Sequence, residues 1–525
     1  MPTYTAPGVY VEEVASASKS MSAAATAIAA FVGFTAQAPT DDPTDPEGLK
    51  PRLVTSWTQF ETLYGSFAPG CMLPLSVYGY FNNGGSIAYI VRVPNTAPAG
   101  EPASLGLAAA DRALGTPLKV ESLEPDANLA IEVAIVEPEE GVEPDGPNHF
   151  RLTVIENGST VETFDDLSFD KGDRNVAKVV NATSTKVKVE VDLDSAVDLN
   201  LLIDVLKPGL FPMVQAAPLP VPVTGRGFAG SETARTGING LVIADDVTMV
   251  IVPDLITAAT KADGSVDLGL WKAVQTALIG HCELQANRMA ILDAPPGMGP
   301  QQIKEWRSDV AMYDSAFAAL YYPWIKVENP TPTNGDSEIL IPPSGHLAGL
   351  WARTDETRGV WKAPANDTLR GCLDVEREIT KNEQSLLNPL GINCIRPFGS
   401  RGIRVWGART LSSDSDWRYI NVRRLFNMIE TTIMDGTQYA VFEPNDKRLW
   451  EGVKRTLNSF LRGMWREGAL YGSTAEQAFY VKCDEETNPP ESIDEGRLVV
   501  EVGIAPVKPA EFVIFRISQH KETAV

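Results

Sequence analysis

Several groups of residues have types and spacings that could do chemistry. Gly225, Gly227 and Gly230 spell G-x-G-x-x-G, with Asp245 fifteen residues beyond the last of them. A dinucleotide site needs a strand before such glycines and a helix after them, so that the pyrophosphate meets the helix N-terminus. Here PLPVPV precedes and TGING follows. Prolines spoil a central strand, and Gly237 and Gly240 spoil a helix, so the motif reads as a loop between domains. Ser344, His346 and Asp355 have the residue types of a hydrolase triad, but Ser344 and His346 are two apart and no G-x-S-x-G turn is present. Asp192, Asp194 and Asp198 could offer carboxylates to a cation. They lack the glycine at the sixth position and the acid at the twelfth of an EF-hand, and read as a solvated acidic loop. The four histidines never fall in H-E-x-x-H spacing, and no Walker A run occurs. No catalytic residue, metal ligand or cofactor is expected, and the chain reads as a non-enzyme.

Arginine supplies the other group. A helix is predicted from Asp446 to Glu467, with Leu449, Trp450, Val453, Leu457, Phe460, Leu461, Met464 and Trp465 in one apolar stripe. At 100° per residue, Arg448, Arg455, Arg462 and Arg466 fall within about 40° of each other on the opposite side. An arginine fork favours a carboxylate partner. Residues 395–470 carry 13 Arg plus Lys against 8 Asp plus Glu, a local +5 in a chain of net charge −23. A solvated helix face is the plainer alternative.

The elements around that helix follow from the pattern. Asn393 to Phe398 and Ile403 to Leu411 read as strands joined by a turn at Gly399 and Gly402. Ser412, Ser413 and Asp414 supply N-cap chemistry for a helix from about Asp416 to Gly436. Upstream, Val9 to Val14 reads as a lone strand before a small-residue linker, Ala15 to Ser20. Residues 95–227 alternate apolar and polar residues and predict a small, mainly β domain. Residues 95–235 hold 23 acids and 11 bases, a solvated outer face in prospect. Short apolar strands alternate with helices over 228–384, which indicates a largely parallel sheet. Ala319 to Val327, Ala475 to Cys483, Leu498 to Ile504 and Glu511 to Ser518 complete the expected strands.

Composition bounds the rest. A chain of 525 residues supports several cores. Its acidity argues against a general nucleic-acid binder. No apolar run reaches membrane-spanning length, and the first residues do not read as a secretory signal. The five cysteines lack metal spacing and predict reduced, buried thiols.

Long runs then carry a family resemblance: PGVYVEE from Pro7, SWTQFETLYG from Ser56, FNNGGSIAYIVRV from Phe81, YPWIKV from Tyr322 and IPPSGHLAGLWARTDETRGVWKAPAN from Ile341. GIN from Gly391, VWGARTL from Val405, DWRYINVRRL from Asp416, VFEPN from Val441, AEQAFYVKCD from Ala475 and PAEFVIFRI from Pro509 follow. The chain resembles the sheath proteins of contractile phage tails, tailocins and phage-tail-like injection systems. The resemblance implies a multidomain α/β and α+β fold. An N-terminal strand arm and linker would occupy 1–20, and a subtilisin-like, non-catalytic α/β domain 21–94 plus 228–384. A mainly β outer insertion would span 95–227, an α+β C-terminal sheath domain 385–506, and a C-terminal strand arm 507–525. It implies a structural subunit that forms stacked hexameric rings around an inner tube and contracts. Its partners would be its own copies, the tube protein, and baseplate and terminator or cap proteins. Neither nucleic acid nor direct membrane insertion is implied. Assembly would take place in the bacterial cytoplasm, and the product would be part of a virion tail or tail-like particle. By the same resemblance Arg448, Arg455, Arg462 and Arg466 would face the tube. Val9, Tyr10, Val11, Glu12, Glu13 and Val14 would form one inter-subunit arm, and Phe512, Val513, Ile514, Phe515, Arg516 and Ile517 the other. Another tail or baseplate component, or a hydrolase on the α/β domain, stands as the alternative.

Overall fold

The computed structural model describes residues 21–40, 45–94, 104–107, 118–123, 129–135, 149–156, 159–169, 172–191, 209–212, 223–261, 263–331 and 337–515. The arm Val9 to Val14, the linker Ala15 to Ser20, the Asp192 loop and residues Arg516 and Ile517 lie outside them. The chain divides into two compact units, one being Pro94–Pro222 and the other the remainder.

The larger unit is built on an eight-stranded sheet. Its strands are β1 (Ile28–Gly33), β2 (Arg52–Val54), β3 (Ile87–Arg92), β4 (Met249–Ile251), β5 (Met289–Asp293), β6 (Ala318–Tyr322), β7 (Ile392–Pro397) and β8 (Ile403–Trp406). The order is β8-β7-β6-β5-β4-β1-β3-β2. All neighbours from β3 to β7 run parallel, and the edge strands β2 and β8 are antiparallel. Parallel strands covered on both faces need continuous apolar runs. IAAFVG, MAILD and AALYY supply them, and every residue in all three is buried. In β1 the period of two sends Ile28, Ala30 and Val32 to one core and Ala29 and Phe31 to the other.

Helix α1 (Leu73–Asn82) and helix α3 (Ser344–Arg358) cover one face, and helix α2 (Leu268–Gln285) the other. Asp267 caps α2 by accepting from the Gly269 and Leu270 amides, and Trp271, Val274 and Leu278 point into the core. Glycines set the α1–α3 approach. A Cβ at Gly345 would lie 2.4 Å from the Ser76 carbonyl oxygen, and one at Gly349 2.4 Å from that of Tyr80. The run SGHLAGLW is therefore a packing surface.

The sheet corrects the boundary placed at residue 385. Strands β7 and β8, expected to open the C-terminal domain, are the last two strands of the large sheet. β7 pairs parallel with β6 through Leu320 opposite Ile392 and Tyr322 opposite Cys394. The C-terminal part proper holds helix α4 (Ile420–Thr437), helix α5 (Lys447–Arg466) and the antiparallel pair β9 (Phe479–Lys482) and β10 (Glu501–Ile504). Its core is Leu425, Met428, Ile429, Leu461, Met464, Leu470 and Phe479.

Other boundaries also move. Helix α4 starts at Ile420, four residues after Asp416, because Ser413 donates to Asp314 (2.8 and 2.6 Å) and forms a turn instead of a cap. Ala475–Ala478 is a helical turn before β9. The strand expected over Ala319 to Val327 is interrupted after Tyr322, and Ile325–Glu328 joins a separate three-stranded sheet. Gly225–Ala229 is a short helix where a loop was expected. Residues 511–515 form no strand within the chain.

The smaller unit is mainly β. One antiparallel sheet holds Gly209–Pro212, Leu129–Ile135, Phe150–Glu156 and Ser159–Leu167, and another Ser104–Leu107, Leu118–Ser122 and Val187–Val191. Helix Val176–Thr183 packs with them around Val120, Ile131, Leu152, Val154 and Val189.

Candidate assembly interface

Helix α5 spans Lys447–Arg466, one residue inside each predicted end. Its cap is Asp446, which accepts from the Arg448 and Leu449 amides at 2.9 and 3.0 Å. Trp450, Val453, Leu457, Leu461 and Met464 are buried, and Phe460 and Trp465 pack on the core from the rim. Arg448, Arg455, Arg462 and Arg466 are all exposed. Among the described residues, none of the four makes an ion pair. Both lysines of the helix do: Lys447 with Glu485 at 2.6 Å and Lys454 with Glu451 at 2.6 Å.

Helix α4 uses arginine in the opposite way. Arg424 meets Asp355 of α3 in a fork, at 2.8 and 2.5 Å, with both side chains under 5% exposed. It also donates to the Thr26 carbonyl at 2.8 Å and lies 4.8 Å from the Trp351 ring centroid. Arg423 stacks over Trp417 at 4.2 Å and reaches Asn427 at 2.7 Å and Glu430 at 3.1 Å. Within the same helix Ile420 enters the sheet core while Leu425, Met428 and Ile429 enter the C-terminal core. These contacts fasten the helix to the sheet domain.

The pair β9–β10 is a two-stranded sheet, an arrangement with open edges and little stability of its own. Beyond β10 the chain leads, without further helix or strand, to Phe512, Val513, Ile514 and Phe515, which are 70–83% exposed. Four consecutive exposed apolar residues form an uncovered apolar run.

The hydrolase constellation is not assembled. Ser344 donates to Asp293 at 2.6 Å, Asp355 holds Arg424, and His346 lies buried with its Nδ1 unpartnered. Burial pushes the His346 pKa down to about 4 and the Asp293 carboxyl up to about 7, against the pull of the Ser344 hydrogen bonds. Asp254, which accepts from the Phe34 and Leu73 amides at 2.7 and 3.2 Å, is likewise raised to about 7 by burial. These carboxyls fasten loops to helix starts. Among the described residues, no cluster of His, Cys, Asp and Glu could hold a metal ion, and no helix is long and apolar enough to cross a membrane.

Sequence reasoning missed Phe442. It is fully exposed in the α4–α5 loop at φ 66°, beside Val441, which is also exposed. In the sequence it lies in the VFEPN run, where no local pattern marks its side chain as uncovered.

Residues 246–411 match the family described as phage tail sheath protein central domain, and 412–520 match the phage tail sheath C-terminal domain. The join falls just past β8, where the large sheet ends. The chain belongs to the phage tail sheath family. This is a family of structural tail proteins, which bears out the reading that the chain is not an enzyme.

A tail sheath protein of Vibrio phage KVP40 is 30% identical over 310 residues, covering 54% of this sheath chain and 45% of the relative. The chain thus spans about half the length of that curated relative. A chain of the anti-feeding prophage baseplate is similar at 25% identity and TM-score 0.58, covering 99% of this chain and all of the other. The sheath complex of the extracellular contractile injection system PVC, in its contracted state, is similar at 25% identity and TM-score 0.57, over the whole of both chains. The mixed α/β multidomain fold is that of contractile sheath subunits.

Proposed function

We propose that the protein is the subunit of a contractile sheath. Copies stack as hexameric rings around an inner tube and shift from a metastable extended form to a better-packed contracted one, driving the tube through a target envelope. The free energy comes from that difference in packing, so no cofactor is needed. Baseplate and terminator or cap proteins are the partners at the two ends, neither nucleic acid nor a membrane is bound directly, and the product is a tail or tail-like particle assembled in the bacterial cytoplasm. The α/β domain is a subtilisin-like scaffold without catalysis, and the acidic β unit faces outward.

The observation that carries this reading is the unsatisfied state of the C-terminal part. It presents an arginine face without ion pairs among the described residues, a two-stranded sheet with open edges and an uncovered apolar run. Arg448, Arg455, Arg462 and Arg466 face an acidic tube. Val9 to Val14 and Phe512 to Ile517 add as strands to neighbouring copies, where each net hydrogen bond contributes about 0.5–1.5 kcal/mol. Ala15 to Ser20 then acts as a tether of at most roughly 20 Å.

Negative-stain microscopy tests the proposal. Purified protein is expected to form hollow, ribbed cylinders, and a variant lacking residues 1–14 to remain a folded monomer. Monodisperse particles from the intact chain under all assembly conditions would count against a sheath. Cylinders from the deletion variant would remove the N-terminal arm from the account.

A further inference from the structure

Past β10 the chain is tied down step by step as far as Glu511. Ala505 donates to the Ala478 carbonyl and accepts from the Tyr471 amide, both at 2.8 Å, and Pro506 bridges to Leu470. The Val507 carbonyl accepts from Asn421 of α4 at 3.0 Å. Lys508 pairs with Asp416 at 3.5 Å on the surface. Glu511 then receives donors from several separate segments. Arg409, just after β8, gives a fork at 2.8 and 2.5 Å. Asn388, in the turn before β7, donates at 2.8 Å, and the Tyr419 hydroxyl, at the start of α4, at 3.3 Å. The next four residues are the exposed apolar run.

The seat of this contact is rigid. Asn393 in β7 grips the Arg409 backbone from both sides, accepting its amide at 2.8 Å and donating to its carbonyl at 2.8 Å. Arg409 also donates to the Asn388 carbonyl at 3.2 Å. The Arg409 and Glu511 side chains are 13% and 20% exposed. Burial alone would raise the Glu511 carboxyl, but the hydrogen bonds from Arg409 and Asn388 outweigh it and hold it below its ordinary range. A shielded, bidentate arginine–carboxylate pair of this kind resists solvent competition far better than a surface pair.

We propose that the Arg409–Glu511 clasp is the pivot of the C-terminal arm: it fixes on the large sheet the point from which Phe512 onward is donated to a second copy of this chain. This rests on the reading of 512–517 as an inter-subunit strand. Arg409 and Glu511 are positioning residues. They set where the donated strand begins. Without the clasp, the last firm tie is Val507, because the exposed Lys508–Asp416 pair holds weakly. Residues 508–511 then join the free segment and add roughly 13 Å of reach at about 3.3 Å per residue. That slack exceeds the spacing of two paired strands, about 4.8 Å, so register between copies loosens.

Chymotrypsin cleavage of the purified monomer reads the clasp directly. A bond after Phe512 enters a protease only if the residues just before it are free, whereas a bond after Phe515 depends on the clasp much less. The ratio of the two cleavage rates is the readout, and the Phe515 site controls for overall unfolding. Arg409→Ala leaves the substrate sequence intact and is expected to raise the Phe512/Phe515 ratio roughly tenfold or more, as the loss of a charge-assisted hydrogen bond implies. Arg409→Lys keeps the charge but loses the fork and should fall between. In microscopy, Arg409→Ala sheaths should show irregular ring spacing.

An unchanged ratio in both variants overturns the clasp. A raised ratio with cylinders indistinguishable from wild type, before and after contraction, overturns its role as pivot. A variant with Phe512, Val513, Ile514 and Phe515 all changed to Ser that still forms normal cylinders overturns the arm reading itself, while the cleavage result stands independently of it.

Discussion

Adjacent helices of the C-terminal part use arginine in opposite ways. On α4, Arg423 and Arg424 are buried and spend their donors inside the chain, on Asn427, Glu430, Asp355 and the Thr26 carbonyl. On α5, Arg448, Arg455, Arg462 and Arg466 stand exposed with no ion pair among the described residues, although both lysines of that helix are paired. Residue type does not separate these groups; the surroundings do. A buried arginine must be satisfied within the fold, because an uncompensated buried charge is expensive. An exposed row without partners costs the monomer little and remains available to another molecule. Arg424 joins α4 to α3 and Arg423 holds partners along α4 itself, whereas the α5 row stands exposed.

The largest test of this contrast breaks the internal set. Arg424→Ala strands the Asp355 carboxylate in a dry site, which typically costs about 3–5 kcal/mol, and a melt of the monomer should show a fall of many degrees. A smaller effect is expected at Asp293, a buried carboxyl that accepts from the amide and hydroxyl of Ser344 at the start of α3. Its carboxyl ionises near pH 7 in the fold and near about 3.9 in an unfolded chain. Its contribution to stability is therefore complete below the unfolded value and is lost as pH rises through 7. Asp293→Asn should gain stability relative to wild type between pH 5 and 8, by at most about 1.4 kcal/mol per pH unit. A difference that stays constant across that range refutes the assignment.

Exposed positions should behave otherwise. Phe442→Gly relieves a left-handed backbone at a residue with no cover and should stabilise the monomer by about 1 kcal/mol. A loss of stability would mean that the Phe442 side chain supports the fold. Smallest of all, single Arg→Ala changes at 448, 455, 462 or 466 should leave the melting temperature unchanged. A clear drop at any of them would reveal an internal role and blur the contrast.

Helix α5 was legible because its apolar stripe repeats every three or four residues and Asp446 sits at the cap position. Its arginine face followed from the same periodicity. Strands β7 and β8 were recognisable as strands, but their membership of the large sheet depends on pairing with β6, some seventy residues earlier. No local pattern carries that register. The start of α4 was missed because Ser412, Ser413 and Asp414 each offer cap chemistry, and a distant group, Asp314, settles the competition. Arg423 and Arg424 drew no attention in the sequence, since nothing local distinguishes a buried arginine from a surface one. The arm at 512–515 has strand composition without strand structure, because a strand needs a partner edge and this chain leaves that segment uncovered.

Co-sedimentation of sheath subunits with purified tube, in low and high salt, tests the central claim most directly. Wild-type protein should bind the tube in low salt and lose affinity as salt screens the contact. The variant with Arg448, Arg455, Arg462 and Arg466 all changed to Glu should melt like wild type and fail to bind at either salt concentration. If that variant coats the tube at wild-type stoichiometry in low salt, the exposed arginine face of α5 does not meet the tube.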